Sequence, residues 1–298
     1  TPSISCMETS NMKNAIEIRH LTKEYGSFKL SDVTFDVPMG TVVGLIGENG
    51  AGKSTTIKCI LNLVRPSGGE IVLLGRDSIA GEREAKEEIG VVLDESTFHD
   101  TLRALDVGKI LRRVYKNWDQ PFFEALLKKF GLPHNKTVKD YSRGMKMKLS
   151  IAAALSARPR LLILDEATGG LDPVVRDELL DEFLSFVQDE DHAILISSHI
   201  TSDLEKAADY VVYLHKGAVA LQGAKDELLE EHGRLVCGRS DLQKVDPAFL
   251  VGVRENQFSC EALVRRREEF IRRYPELSVE SVTLDDLMVF TTKGEMAS

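Results

Sequence analysis

The chain has 298 residues, 43% hydrophobic and 29% charged, with a formal net charge of -9, which allows one large or two smaller globular domains with real cores. The acidic balance weighs against a broad nucleic-acid footprint, which depends on Lys and Arg neutralising phosphates, while leaving room for a local basic patch. Cys6, Cys59, Cys237 and Cys260 form no C-x-x-C pair, the seven histidines are scattered, and no apolar run approaches the ~18 residues that span a bilayer, so no zinc site, disulfide framework or membrane span is expected.

Residues 1–14 are polar, begin with Thr, contain Met7 and Met12, and lack a signal-peptide core; they read as a disordered upstream extension or cloning remnant. Short strands are expected at 16–21, 33–37 and 41–46, separated by Gly/Pro turns. The third runs into G-E-N-G-A-G-K-S from Gly47 to Ser54, a complete G-x-x-x-x-G-K-[ST] phosphate loop, and a helical run over 53–63 follows. Strand, loop and helix in that order make a nucleotide site. Gly47, Asn49, Gly50 and Gly52 let successive backbone N–H groups converge on one point, and the helix N-terminus favours the same phosphate oxygens. Lys53 is placed to reach the β- and γ-phosphates and Ser54 to ligate Mg²⁺, with Thr55 beside them.

Further strands are expected at 70–74 and 89–93. From 94 to 158 apolar residues recur at three- and four-residue spacing, over 107–115, 120–130 and 143–156, which reads as a helical insertion. Residues 161–164 form a continuous apolar strand, as in a parallel sheet covered on both faces. A helix over 173–188 opened by Pro173, a buried strand at 193–197, a helix over 201–207 and strands at 210–214 and 219–222 complete an alternating pattern. The fold class is therefore α/β with a mainly parallel sheet. Beyond 222 the pattern weakens into 224–232, a charged helix over 260–273 and a segment at 278–290, read together as a small C-terminal appendage over 223–298. Arg265, Arg266, Arg267, Arg272 and Arg273 alternate with Glu268 and Glu269 and read as a solvated helix face rather than a nucleic-acid or lipid patch.

Asp165 and Glu166 follow the apolar strand at its C-terminal end, where ligands sit in open α/β sheets. Asp165 is the candidate to hold Mg²⁺ through water and Glu166 to polarise the attacking water, since phosphoryl transfer asks the protein mainly for positioning and charge stabilisation.

In this order the motifs resemble the ATP-binding subunits of ABC transporters, from about Ile16 to Gln222 and more weakly beyond. Tyr25 stands where that family places an aromatic residue on adenine. Y-S-R-G-M from Tyr141 to Met145 is similar to its L-S-G-G-Q signature, keeping Ser142 and Gly144; G-G-L-D from Gly169 to Asp172 resembles its D-loop, and His199 its switch histidine, which contacts the γ-phosphate. The resemblance implies a RecA-like P-loop NTPase core over 15–222, with an N-terminal antiparallel β subdomain and the helical insertion at about 94–158. It also implies ATP and Mg²⁺ as ligands, ATP hydrolysis, and a head-to-tail homodimer or heterodimer in which Ser142 and Gly144 of one protomer complete the other's site. Force would pass to a permease on a separate chain, which would hold the protein at the cytoplasmic face of a bacterial plasma membrane, with no nucleic acid. The groove for that contact would be lined from Asp94 to about Trp118; Leu102, Leu105, Ile110, Leu111 and Val114 are either its lining or ordinary helix core.

Two departures narrow the resemblance. Asp94, followed by Glu95, stands where the family usually has Gln; a carboxylate could reach Mg²⁺ through water, but it adds negative charge near the phosphates and cannot donate a hydrogen bond when ionised. Tyr141, Arg143 and Met145 replace Leu, Gly and Gln of the signature. Together with the ending V-T-L-D-D-L-M from Val282 to Met288, these departures are similar to a bacterial exporter subgroup that serves efflux of antimicrobial peptides or amphipathic toxins such as phenol-soluble modulins. Two other readings share the motifs: a regulatory ATPase acting with a membrane sensor, and a soluble one acting on ribosomes or DNA.

Overall fold

A computed structural model describes residues 14–26, 28–79, 82–94, 98–257 and 259–294; residues 1–13, with Cys6, Met7 and Met12, and Glu95 lie outside them. The N-terminal strands β1 (Asn14–Tyr25) and β2 (Phe28–Pro38) form a long antiparallel hairpin. β3 (Val42–Ile46) leads through the glycine loop into α1 (Lys53–Ile60). The chain then returns as β4 (Gly68–Leu73) and β5 (Arg76–Asp77), which join the hairpin in a four-stranded antiparallel sheet of order β2-β1-β4-β5. This is the expected N-terminal β subdomain.

After α2 (Glu82–Glu87) and β6 (Ile89–Val92), the helical insertion comprises α3 (Ala104–Leu111), α4 (Gln120–Lys129) and α5 (Arg143–Ser156). Helix α4 starts where sequence signals place a start, with Asp119 accepting the N–H of Phe122 and Pro121 in the first turn. The core resumes with β7 (Leu161–Asp165), α6 (Pro173–Phe186), β8 (Ala193–Ser198), α7 (Thr201–Ala207), β9 (Tyr210–His215) and β10 (Ala218–Ala224). The six-stranded sheet has the order β10-β9-β3-β8-β7-β6; every pair is parallel except β10 with β9.

Strand alternation divides this sheet between two cores. Leu161, Ile163 and Leu195 point toward the N-terminal sheet and α1, whereas Leu162, Leu164, Ile194 and Ile196 point toward the helical insertion, α6 and α7. Covering both faces explains why these strands are apolar without interruption. All seven side chains are 0–1% exposed, and each such burial contributes about 1.5–3 kcal/mol relative to exposure.

Gly217 ties the two sheets to the glycine loop. It connects β9 to β10, donates its N–H to Ala51 O (3.1 Å) and accepts from Ser31 N (2.8 Å). Its φ is +83°, and a Cβ there would lie 1.9 Å from Lys29 O. Both conformation and space therefore require glycine. Gly217→Ala is expected to lose at least about 2 kcal/mol of stability in chemical denaturation; an unchanged midpoint would mean that β2 yields freely.

The C-terminal segment is more ordered in its architecture than its sequence pattern conveys. After α8 (Lys225–Glu231), strands β11 (His232–Cys237), β12 (Leu250–Glu255), β13 (Cys260–Arg265) and β14 (Val279–Glu280) form an antiparallel sheet of order β12-β13-β11-β14, with α9 (Arg239–Leu242) and α10 (Arg267–Arg273) alongside. The helix expected over 260–273 is thus wrong in its first half. Residues 260–265 pair with β11 on one side and β12 on the other, burying Ala262, Leu263 and Val264, and Arg266 with φ +54° turns the chain into α10. Arg265, Arg266, Arg272 and Arg273 are exposed, as a solvated face requires, and three of them also make contacts within the unit. Arg266 and Arg273 lie over the Phe249 ring at 4.7 and 5.7 Å, and Arg265 donates to Leu250 O. Helix α11 (Leu284–Gly294) docks this unit onto the core: Leu284, Leu287 and Phe290 join the main cluster, and Leu284 N–H donates to Glu205 Oε1 at 2.7 Å.

Candidate nucleotide site

The parallel register sets the C-terminal ends of β3, β7 and β8 side by side, with Ile46 opposite Ser198 and Asp165 opposite Ser197. Loop residues 47–52 turn above these ends onto α1. Gly50 and Gly52 have φ of +84° and +114°, and a Cβ at Gly52 would lie 2.5 Å from Leu30 Cδ2, whereas one at Gly47 would lie 2.6 Å from Leu214 O. The loop is therefore glycine-rich for both conformational and spatial reasons.

Lys53 is only 5% exposed. Its Nζ donates to Gly47 O at 2.7 Å and pairs with Glu166 Oε1 at 3.1 Å. Ser54 Oγ donates to Asp165 Oδ1 at 3.1 Å. The same carboxylate oxygen accepts from Ser197 Oγ at 2.6 Å, and that hydroxyl accepts the backbone N–H of Glu166 at 3.1 Å. Glu166 itself has φ +52°, an uncommon value for a non-glycine residue of the kind that concentrates at functional sites. Its Oε2 lies 2.5 Å from His199 Nδ1. Behind this group Asp203 is 3% exposed, and burial pushes its carboxyl above the ordinary range against the opposing pull of Arg176 and His199.

Nine of the residues expected from sequence line one cleft of about 750 Å³: Asn49, Gly50, Gly52, Lys53, Ser54, Thr55, Asp94, Glu166 and His199. Asp165 supports Ser54 from below, and Gly47 contributes through its carbonyl to Lys53. Ser54 and Asp165 offer hard oxygen donors, which suit a Mg²⁺ ion that takes one or two protein ligands and completes its shell from phosphate and water. Asp94 lines the cleft, but its carboxylate is engaged by Arg143 at 2.7 Å.

Besides Asp165 and Gly47, four expected residues do not line the cleft. Tyr25, at the end of β1, is 43% exposed with Lys23 Nζ 5.0 Å from its ring centroid, and its cross-strand partner Phe28 lines the cleft instead. Ser142 caps α5 by accepting Met145 N–H at 3.2 Å; Asp172 caps α6 by accepting Val175 N–H at 3.1 Å. Gly144 sits between them, its Cβ position facing Val175 and Leu171. These three form a neighbouring surface built from two helix N-termini, a setting that favours an anion.

Phe28, Arg143 and Ser197 are site residues that sequence reasoning missed. For Ser197 a signal exists: Ser197 and Ser198, both fully buried, end an otherwise apolar strand, and buried hydroxyls need partners. Phe28 follows a turn whose register is set by pairing with β1, and Arg143 acts through its reach rather than its position in the chain.

The profile of the ABC transporter family matches residues 30–169. Bacitracin transport ATP-binding protein BcrA of Bacillus licheniformis is 32% identical over 269 residues, covering 89% of this chain and 87% of that protein. Lantibiotic transport ATP-binding protein SrtF of Streptococcus pyogenes is 38% identical over 221 residues, 72% of this chain and 94% of that one. Among solved structures, an ATP-binding subunit of an ABC transporter superposes with a TM-score of 0.64 at 31% identity, over 72% of this chain and 92% of its own.

Proposed function

Because the chain belongs to the ABC transporter family and is one of its ATP-binding, ATP-hydrolysing subunits, we propose that it is the motor of a bacterial exporter for antimicrobial or amphipathic peptides. The observation that carries the catalytic part is the convergence of Lys53, Ser54, Glu166 and His199 on one cleft, with Asp165 hydrogen-bonded to Ser54 beneath it. Lys53 and the loop N–H groups hold the phosphates. Glu166 takes a proton from the attacking water, with His199, bonded to the same carboxylate, fixing its orientation. Mg²⁺ held by Ser54 and Asp165 would supply charge neutralisation to the phosphates.

Ser142 and Gly144 lie outside their own chain's cleft, which supports a head-to-tail dimer where each protomer's signature meets its partner's ATP. ATP contacting both protomers would favour the closed dimer by differential affinity, and hydrolysis would reopen it. The names of the relatives, bacitracin and lantibiotic transport, support the peptide cargo. The transport path is assigned to a separate permease; no helix among the described residues is long and apolar enough to cross a membrane.

A second cavity, of about 270 Å³, lies between core and helical insertion and is lined by Val91, Val92, Leu93, Phe98, Leu111 and Tyr115 with one face of α5. Leu102, Leu105 and Leu111 are half-buried against the main cluster, whereas Ile110 and Val114 are 46% and 65% exposed. The five apolar residues thus divide between helix core and free surface. Ile110→Gln with Val114→Gln should reduce cargo transport in vesicles at least ~10-fold, the scale of losing an interface anchor, with basal ATPase retained. Joint loss of ATPase and folding would instead make them core residues.

The whole assignment is tested by purifying the Glu166→Gln form from its native membranes in ATP and Mg²⁺. A stoichiometric multi-span protein is expected. Ribosomes or DNA without a membrane protein would overturn the motor reading.

A further inference from the structure

We propose that Arg143 is a positioning residue that neutralises Asp94 at the rim of the cleft, so that the site accepts the anionic triphosphate; this rests on the reading of that cleft as the ATP site. Arg143 Nη2 donates to Asp94 Oδ1 at 2.7 Å, and both side chains line the cleft with the phosphate loop. The guanidinium also lies close to the D-loop backbone. A Cβ at Gly170, whose φ is +67°, would lie 2.9 Å from Arg143 Nη1, so the arginine rests over bare D-loop backbone.

Fold stability does not account for this arrangement. Arg143 occupies the first turn of α5, where a cation opposes the helix dipole. The pair is 56% and 52% exposed, and ion pairs this open add little to stability. What the pair does change is the charge of the cleft. Its lining carries three carboxylates, Glu48, Asp94 and Glu166, against two permanent cations, Lys53 and Arg143. Lys53 is already shared with Glu166. Without Arg143, a free carboxylate at position 94 would stand beside the incoming phosphates with nothing to offset it.

The test is binding of a fluorescent ATP analogue in EDTA, where neither metal nor turnover contributes. Arg143→Ala should weaken binding about tenfold, Asp94→Asn should tighten it severalfold, and Arg143→Ala with Asp94→Asn should return to within about threefold of the parent. Circular dichroism should show all three folded. An unchanged affinity in Arg143→Ala overturns the proposal, and so does a double variant as weak as Arg143→Ala, since that result would make the arginine a direct phosphate contact. Lys53→Ala serves as the control. If it binds normally, the cleft itself is misread; if it loses binding while Arg143→Ala does not, only the present proposal fails.

Discussion

Replacing Glu166 with Gln should leave ATP binding intact and slow hydrolysis by at least ~100-fold, the usual effect of removing a positioned proton acceptor. The geometry makes the substitution informative. The amide keeps the size of the side chain and can still meet Lys53 or His199 through its oxygen, but it cannot take a proton from water. The backbone that places it is fixed independently, by its N–H to Ser197 Oγ and by its left-handed φ. A steady-state ATPase assay with a parallel binding measurement separates the outcomes. Turnover within a few-fold of the parent would remove Glu166 as the base and move attention to His199, its neighbour at 2.5 Å.

The parts of this site that were legible in the sequence are those fixed by local chemistry. A phosphate loop is a contiguous string because its work is done by successive backbone N–H groups, so Gly50, Gly52, Lys53 and Ser54 announce themselves. The uninterrupted apolar strand ending at Asp165 gave away a parallel sheet covered on both faces, and ligands gather at such ends. What escaped depends on distance through space. Ser197 is 32 residues from the carboxylate it orients, and Arg143 is 49 residues from Asp94. Phe28 lines the cleft where Tyr25 does not, and the two stand opposite each other on the paired strands β1 and β2. In the C-terminal unit the charged run after Cys260 outweighed the short A-L-V stretch. Its burial comes from cross-strand neighbours at Leu235 and Val253, in strands with no regular alternation of their own.

The second large effect is expected at Lys53. Lys53→Ala should lower ATP affinity by about two orders of magnitude, in line with the 2–5 kcal/mol seen when one partner of a buried, hydrogen-bonded charge pair is truncated. Two mechanisms could produce that loss. The ammonium could be a direct phosphate contact, or its removal could merely free the Glu166 carboxylate, now 3.1 Å from Nζ, to repel the phosphates. The burial of Lys53 favours the first, because a lysine 5% exposed and held by Gly47 O is aimed at the loop's own centre. Combining Lys53→Ala with Glu166→Gln decides between them by isothermal calorimetry. If the lysine contacts phosphate, the double variant binds as weakly as Lys53→Ala alone. If repulsion is the cause, neutralising Glu166 restores most of the affinity, and the direct role assigned to Lys53 is wrong.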